Sequence, residues 1–131
     1  MKKVFSIASI LVLGFAAFFI FLKTQNQIKR TKTFDTFGQI LVTLDRTLGT
    51  NSQALAIYDP ATETKKIFPF VPVTNGQILD AWNRPIKIKL ARIENSTQVS
   101  LTSFGSDGII GTKDDLIQNE ILLDQSSLKQ K

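Results

Sequence analysis

Three carboxylates and three glycines lie within thirteen residues near the C-terminus, in the segment Ser103–Asp115. The carboxylates belong to Asp107, Asp114 and Asp115, and the last two are adjacent. Adjacent carboxylates repel each other unless a positive charge lies between them, and the one basic residue of the segment is Lys113. A hard cation with oxygen ligands would remove this repulsion, and Ca²⁺ is the natural candidate. The segment therefore predicts a calcium loop, placed at residues 103–117.

The composition restricts the chemistry further, because the chain contains no Cys and no His. Thiolate sites, disulfides, imidazole ligands and the Ser-His-Asp triad are thereby excluded. A metal site would have to be built from oxygen, which favours Ca²⁺ or Mg²⁺ over zinc or copper. A flexible loop rich in carbonyl groups suits the larger ion, so Ca²⁺ is preferred to Mg²⁺.

The expected ligands follow from the order of residues in the loop. Gly108 and Gly111 allow the backbone to curl so that neighbouring carbonyl groups point inward. The spacing differs from an EF-hand, which needs ligands at alternate positions before its glycine and a Glu at the twelfth. The oxygens expected to hold the ion are the carboxylates of Asp107, Asp114 and Asp115 and the backbone carbonyls of Ile109 and Ile110.

A second interpretation of the same segment needs no metal. Asp107-Gly108 is a common turn pair. Thr112-x-x-Asp115 before Leu116 resembles a capping box that opens a short helix, with acidic residues in its first turn. The residues alone leave both interpretations open.

The other prominent feature is an uncharged apolar run at residues 4–22. Nineteen helical residues span roughly 28 Å, which is enough for a hydrocarbon core. The run ends in bulky residues before Lys23, which favours an uncleaved anchor, residues 1–22, over a signal peptide. A short N-terminal flank favours an N-in, C-out orientation, so we expect a single-pass protein of the inner (cytoplasmic) membrane with its C-terminal domain outside the cytoplasm.

The net excess of positive charge comes from the flanks of the apolar run. From Thr33 onward the chain has ten Lys/Arg against eleven Asp/Glu. A nucleic-acid interface needs a basic face, so no nucleic acid is expected as a partner. The acidic residues cluster in one loop of a domain of about 100 residues, which leaves little room for a catalytic cleft. We therefore expect neither an enzyme nor a small-molecule substrate.

Periodicity predicts an α+β fold in which an amphipathic helix packs on a small antiparallel β-sheet. Residues 23–33 are either a basic linker or an extension of the anchor helix. Residues 34–123 form the folded domain, and residues 124–131 form a polar tail. Apolar residues at helical spacing mark one stripe, which Gly49 is expected to terminate: Phe34, Phe37, Ile40, Leu41, Leu44 and Leu48.

The strands are expected mainly in the second half of the domain. Residues 86–90 and 99–102 alternate apolar and polar side chains, and the turn between them is placed at 94–97. Residues 54–58 and 66–68 are further candidates for short strands. Two prolines predict an irregular packed loop at 68–73.

Two motifs in order resemble the C-terminal half of the major pseudopilins of type II secretion systems. Asp80-Ala81-Trp82-Asn83-Arg84-Pro85 is similar to the D-x-W-G-x-P segment of that family, with Asn83 in place of the Gly. The loop from Ser103 to Asp115 is similar to the family's S-x-G-x-D-G loop, which closes with paired acidic residues and binds calcium. The resemblance covers roughly residues 78–117. It implies a pilin-like fold, with Asp80, Trp82 and Pro85 as the structural motif and Asp107, Asp114 and Asp115 as calcium ligands.

The N-terminus departs from that family. Gly14-Phe15 could mark a leader cleavage site, but Phe19 stands where the family has a Glu, and only eight apolar residues follow Gly14. The resemblance implies a role in secretion or pilus-type assembly, with self-association or other pseudopilins as partners. The missing Glu favours the alternative of a stand-alone envelope binding module on the same scaffold. For Trp82, the only Trp of the chain, we expect packing at the core.

Overall fold

The structure is a computed structural model that describes residues 2–50, 68, 71, 73–94 and 96–123. Within the first of these ranges, side chains are described for residues 11–47. Within the described residues, one helix is followed by five strands. The elements are α1 Lys2–Thr50, β1 Val73–Thr74, β2 Gln77–Ile78, β3 Lys87–Ile93, β4 Ser96–Ser103 and β5 Leu116–Leu123. The fold is α+β, as expected from the sequence.

The N-terminal helix is a single element of 49 residues. It contains no proline, and its threonines return hydrogen bonds to the carbonyl four residues earlier, as Thr33 does to Lys29 at 3.0 Å. Residues 23–33 therefore continue the N-terminal helix and do not form a linker. The expected termination at Gly49 is wrong, because α1 continues to Thr50. Glycine favours a helix end but does not enforce one.

The apolar stripe of α1 faces the sheet. Phe37, Ile40 and Leu44 are completely buried, and Leu41 is partly buried against the same core. Phe34 is at the margin of the stripe, since 43% of it is exposed while its ring packs edge-on against Phe37. The expected amphipathic packing is confirmed for residues 34–47, whereas the side chain of Leu48 lies outside the described residues.

The main sheet has three antiparallel strands in the order β3-β4-β5. Strand β4 supplies the centre of the core through the buried Val99 and Leu101. The predicted hairpin is confirmed, but its turn is shorter than expected because Ile93 pairs directly with Ser96. Glu94 takes the left-handed conformation that this tight connection needs, with φ of 48°.

The strand β5 replaces the helix that the capping-box interpretation predicts. Leu116 pairs with Ser103, and the pairing continues to Leu123 opposite Ser96. The expected cap is absent from the described loop: the Asp115 N–H donates to the backbone oxygen of Thr112 at 3.3 Å, and a strand follows at once. The buried Leu116 and Leu122 lie six residues apart and so face the same side of the strand.

A small second ladder joins β1 to β2 through Asn75 and Gly76, both with positive φ. Of the irregular packed loop predicted at 68–73, Phe68 and Val71 are buried and Val73 belongs to β1, whereas residues 69, 70 and 72 lie outside the described residues. The candidate strand at 54–58, most of the one at 66–68 and the tail 124–131 lie outside the described residues.

Candidate metal-binding loop

The connection from β4 to β5, residues 104–115, is called the carboxylate loop. It begins with a tight turn in which the Gly108 N–H donates to the Phe104 carbonyl at 3.0 Å. Gly105 has φ of 57° and lies so close to the Asp114 backbone that a Cβ would be 2.7 Å from the Asp114 carbonyl carbon. The turn at Asp107-Gly108 is therefore confirmed, and its tight backbone brings residue 114 across to residues 105–107.

Asp114 organises the loop. Its Oδ2 accepts hydrogen bonds from the Ser106 N–H at 2.6 Å, the Ser106 hydroxyl at 2.7 Å and the Asp107 N–H at 3.0 Å. The Thr112 hydroxyl donates to its Oδ1. These donors, Thr112 first and then Ser106, favour the charged carboxylate and hold the pKa of Asp114 well below its usual range.

Three of the five expected ligand oxygens converge on one hydroxyl. Thr112 Oγ1 lies 3.3 Å from Asp107 Oδ1, 3.2 Å from the Ile109 carbonyl oxygen and in close contact with Asp114 Oδ1. A hydroxyl has one proton, so it can satisfy only one of these acceptors at a time. Asp107 Oδ1 also accepts a hydrogen bond from the Ile109 N–H at 2.8 Å, so among the described residues Asp114 Oδ1 and the Ile109 carbonyl are left to share this one hydroxyl.

Asp115 supplies a further acceptor. Its Oδ2 accepts a hydrogen bond from the Gly111 N–H at 2.7 Å. Its Oδ1 is buried and has no hydrogen-bond partner among the described residues. A buried carboxylate oxygen without a donor is costly, so a cation or an ordered water would be favoured beside it.

The predicted ligands are thus only partly brought together. Asp107, Asp114 and the Ile109 carbonyl meet at Thr112, whereas Asp115 holds the Gly111 end of the loop and Ile110 is exposed. Among the described side chains, no group of three acidic residues is close enough to be a complete metal cluster.

Arg84 is the residue of this site that the sequence analysis missed. Its guanidinium donates hydrogen bonds to the carbonyl oxygens of Gly105 and Ser106, the second at 2.9 Å. The loop therefore receives its cation from the segment before β3, although only Lys113 is basic within the loop itself. The sequence shows an arginine two residues after Trp82. That its guanidinium contacts the carboxylate loop depends on the tertiary fold, which brings residues 84 and 105–106 together.

The structural motif is held by Asp80, which is only 5% exposed. Its Oδ1 accepts hydrogen bonds from the N–H groups of Trp82 and Arg84 at 2.8 and 2.9 Å, and its Oδ2 accepts one from the Ser103 hydroxyl. Asn83 has φ of 61°, a left-handed conformation that Asn tolerates and that suits its place in the motif. Pro85 forms an isolated bridge with Leu79 that closes the turn.

This motif also docks the sheet onto α1. The Ala81 N–H donates to the hydroxyl of the buried Thr33 at 3.2 Å. The half-buried Trp82 packs against the core, and its indole N–H reaches Asn26 Oδ1 at 3.4 Å. Asp80, Arg84 and Ser103 thus connect the helix, the motif and the carboxylate loop in one hydrogen-bonded unit.

Comparisons of this chain with protein-family models, with curated proteins and with solved structures found no match. Among the described residues, α1 is the one helix long and apolar enough to cross a membrane.

Proposed function

We propose that this chain is a membrane-anchored, pseudopilin-like protein whose domain lies outside the cytoplasm and carries a structural Ca²⁺ site in the carboxylate loop. The anchor is the N-terminal part of α1. The proposal assigns a structural role in secretion or pilus-type assembly and no catalytic role. It rests on the two resembling motifs, on the length of α1 and on the convergence of acceptor oxygens in the loop.

The observation that carries the calcium site is the convergence of oxygens on Thr112. Asp107 Oδ1, Asp114 Oδ1 and the Ile109 carbonyl surround one hydroxyl group, and Asp115 Oδ1, a few residues on, is buried without a donor from the part of the chain that the structure describes. Carboxylate and carbonyl oxygens are the ligands that Ca²⁺ prefers. Asp114 Oδ2 is fully used by loop donors, so Oδ1 is its oxygen available to an ion. The ion would supply the positive charge that these oxygens lack.

The direct test is thermal unfolding of the full chain in detergent micelles, with millimolar Ca²⁺ or with a chelator. At a tenfold excess of Ca²⁺ over Kd, the stabilisation would be about 1.4 kcal/mol. For a domain of this size, this corresponds to a rise in Tm of roughly 5–10 °C. Asp107→Asn, which changes one of the converging carboxylates, should abolish the rise, and Asp45→Asn on the exposed side of α1 should keep it. An unchanged Tm in the wild-type protein would remove the ion from the proposal.

An exposed apolar face on α1 supports self-association. Phe34 and Val42 are exposed on either side of Gly38, and among the described residues no atom lies within 4 Å of a Cβ placed on that glycine. Helix neighbours pack closely where a small residue lies between larger ones. The alternative, a stand-alone envelope module, is favoured by Phe19 at the position of the family's Glu. Crosslinking in membranes separates the two, because an assembling subunit gives ladders of bands and a stand-alone module gives none.

A further inference from the structure

The position of Trp82 along α1 relates the folded domain to the membrane surface. Its indole N–H contacts Asn26, which is four residues beyond Leu22, the end of the apolar run. With a helical rise of 1.5 Å per residue, Asn26 is about 6 Å above that end. The headgroup layer on each side of a bilayer is roughly 5–8 Å thick. Trp82 is therefore at the depth of the lipid headgroups when the apolar run spans the hydrocarbon core.

The carboxylate loop belongs to the same end of the domain. Arg84, two residues after Trp82, donates to the Ser106 carbonyl, and the Gly108 backbone lies against its guanidinium, so that a Cβ there would be 2.9 Å from Arg84 Cζ. The opposite end of the sheet is the β3–β4 turn at Glu94. The ladder of β4 with β5 runs from Ser103 opposite Leu116, beside the loop, to Ser96 opposite Leu123, beside that turn. Because Arg84 joins the loop to the segment of Trp82, which contacts Asn26, the loop lies at the end of the sheet nearer to the apolar run, called here the membrane-facing end.

Two large apolar side chains are exposed at this membrane-facing end. Ile109 and Ile110 are 60% and 68% exposed, although the loop around them is fixed by hydrogen bonds. The neighbouring carboxylate of Asp107 is turned back onto the Ile109 N–H at 2.8 Å. Adjacent apolar side chains on an ordered loop are typical of a surface that contacts lipid or protein.

The charge at this level of α1 favours lipid. Four basic residues follow the apolar run: Lys23 within the headgroup layer, and Lys29, Arg30 and Lys32 about 10–15 Å above Leu22, within a Debye length of the headgroups. Each basic residue near an anionic surface contributes about 1 kcal/mol of attraction. Tryptophan prefers the interface because its ring is apolar and its N–H is polar.

We infer that the membrane-facing end of the domain rests on the bilayer that α1 crosses, with Trp82 in the headgroup layer and the Ile109–Ile110 pair inserted at the boundary with the acyl chains. The partner is a lipid surface containing anionic headgroups. This inference rests on the anchor in the proposed function and is independent of Ca²⁺ binding and of assembly. It gives the domain a fixed orientation on the membrane.

Spin labels on single cysteines test this inference in the full chain, because the natural sequence has no Cys. The protein is reconstituted in vesicles of phosphatidylethanolamine and phosphatidylglycerol, with the label at Ile110→Cys, Ile121→Cys or Phe15→Cys. Ile121 is a matched control, since it is 62% exposed and lies toward the other end of the sheet. Relative to Ile121→Cys, the ratio of collisions with oxygen to collisions with an aqueous nickel chelate should rise roughly tenfold at Ile110→Cys, because the charged chelate is excluded from lipid.

The sole Trp gives a second measurement without any substitution. Bromine on the upper part of the lipid acyl chains should quench roughly half of the Trp82 emission, as expected for an interfacial ring. If the label at Phe15→Cys is in lipid while Ile110→Cys and Ile121→Cys are equally accessible to the chelate, the inference is wrong and the anchor stands. If Ile110→Cys is shielded from both oxygen and chelate, a protein covers the pair and the lipid assignment is overturned. If Phe15→Cys is itself in water, the anchor and the inference fail together.

Discussion

The Ser103 hydroxyl donates a hydrogen bond of 2.6 Å to the Asp80 carboxylate, and both residues are buried. This bond joins the end of β4 to the turn that precedes β3. Ser103 also accepts a hydrogen bond from the Gly105 N–H at 3.3 Å, so the same hydroxyl begins the carboxylate loop. The loop and the motif are therefore one structural unit, and changes in either should affect both.

Asp80→Ala should be strongly destabilising. It removes the acceptor for Trp82, Arg84 and Ser103 at a buried position, which leaves polar groups without partners. The expected loss is about 2–4 kcal/mol in the free energy of unfolding, measured by urea titration of the full chain in micelles. The exposed Asp45→Ala should stay within about 0.5 kcal/mol of the wild type. Equal effects of the two substitutions would contradict the structural role of Asp80.

Two glycines of the loop should respond differently to alanine. Both need a left-handed backbone, with φ of 57° at Gly105 and 86° at Gly111. A Cβ at Gly105 collides with the Asp114 backbone, whereas at Gly111 no atom lies within 4 Å. We expect Gly105→Ala to cost more than about 3 kcal/mol and Gly111→Ala about 1 kcal/mol, the latter from backbone strain alone. Urea titrations that reverse this order would show that the loop is arranged differently.

Arg84→Gln should loosen the carboxylate loop without unfolding the sheet. The guanidinium clamps two adjacent carbonyls, and hydrogen bonds with a charged donor contribute about 1.5–3 kcal/mol. Hydrogen exchange of the Ser106, Asp107 and Gly108 amides should accelerate at least about tenfold, while amides of β4 keep their protection. Lys89→Gln on β3 is the control, since Lys89 is exposed. Unchanged hydrogen exchange in the Arg84 variant would show that the hydrogen bonds of Arg84 do not hold the carboxylate loop in place.

Acid should weaken the loop through Asp114. Its pKa is lowered in the folded protein, so its contribution is fully present above the unfolded value of about 3.9 and is lost as the pH falls toward the folded value. Asp114→Asn should therefore show a smaller decrease in Tm between about pH 5 and pH 2 than the wild type. Asp45→Asn should keep the wild-type decrease. A parallel decrease in the Asp114 variant would mean that this carboxylate is not tied to folding.

Much of the fold was predictable because its periodicities are simple. The β3–β4 hairpin alternates regularly, and Phe37, Ile40 and Leu44 fall on one helical stripe. The strand β5 was missed because its outward residues Ile117 and Ile121 are apolar and exposed, which removes the alternation that marks a strand. A Thr and an Asp at capping distance then favoured a helix at the same place.

The site was less predictable, because its contacts join distant parts of the chain. The acidic residues of the loop were identified from composition, but the sequence could not assign Asp114 as the acceptor of four hydrogen bonds. Arg84 and Thr33 act through partners 22 and 48 residues away. Such pairings depend on how the helix and the sheet are brought together, which local patterns do not encode.

The uninterrupted course of α1 has a mechanical consequence. A helix turns by about 100° and rises 1.5 Å at every residue. Because α1 is unbroken between Leu22 and Phe37, rotation of its N-terminal half about the helix axis must rotate the sheet by the same angle. Inserting a single residue between these positions would turn the sheet by about 100° around the helix axis relative to the N-terminal half of α1. The number of residues in this part of the helix therefore sets the direction in which the sheet faces.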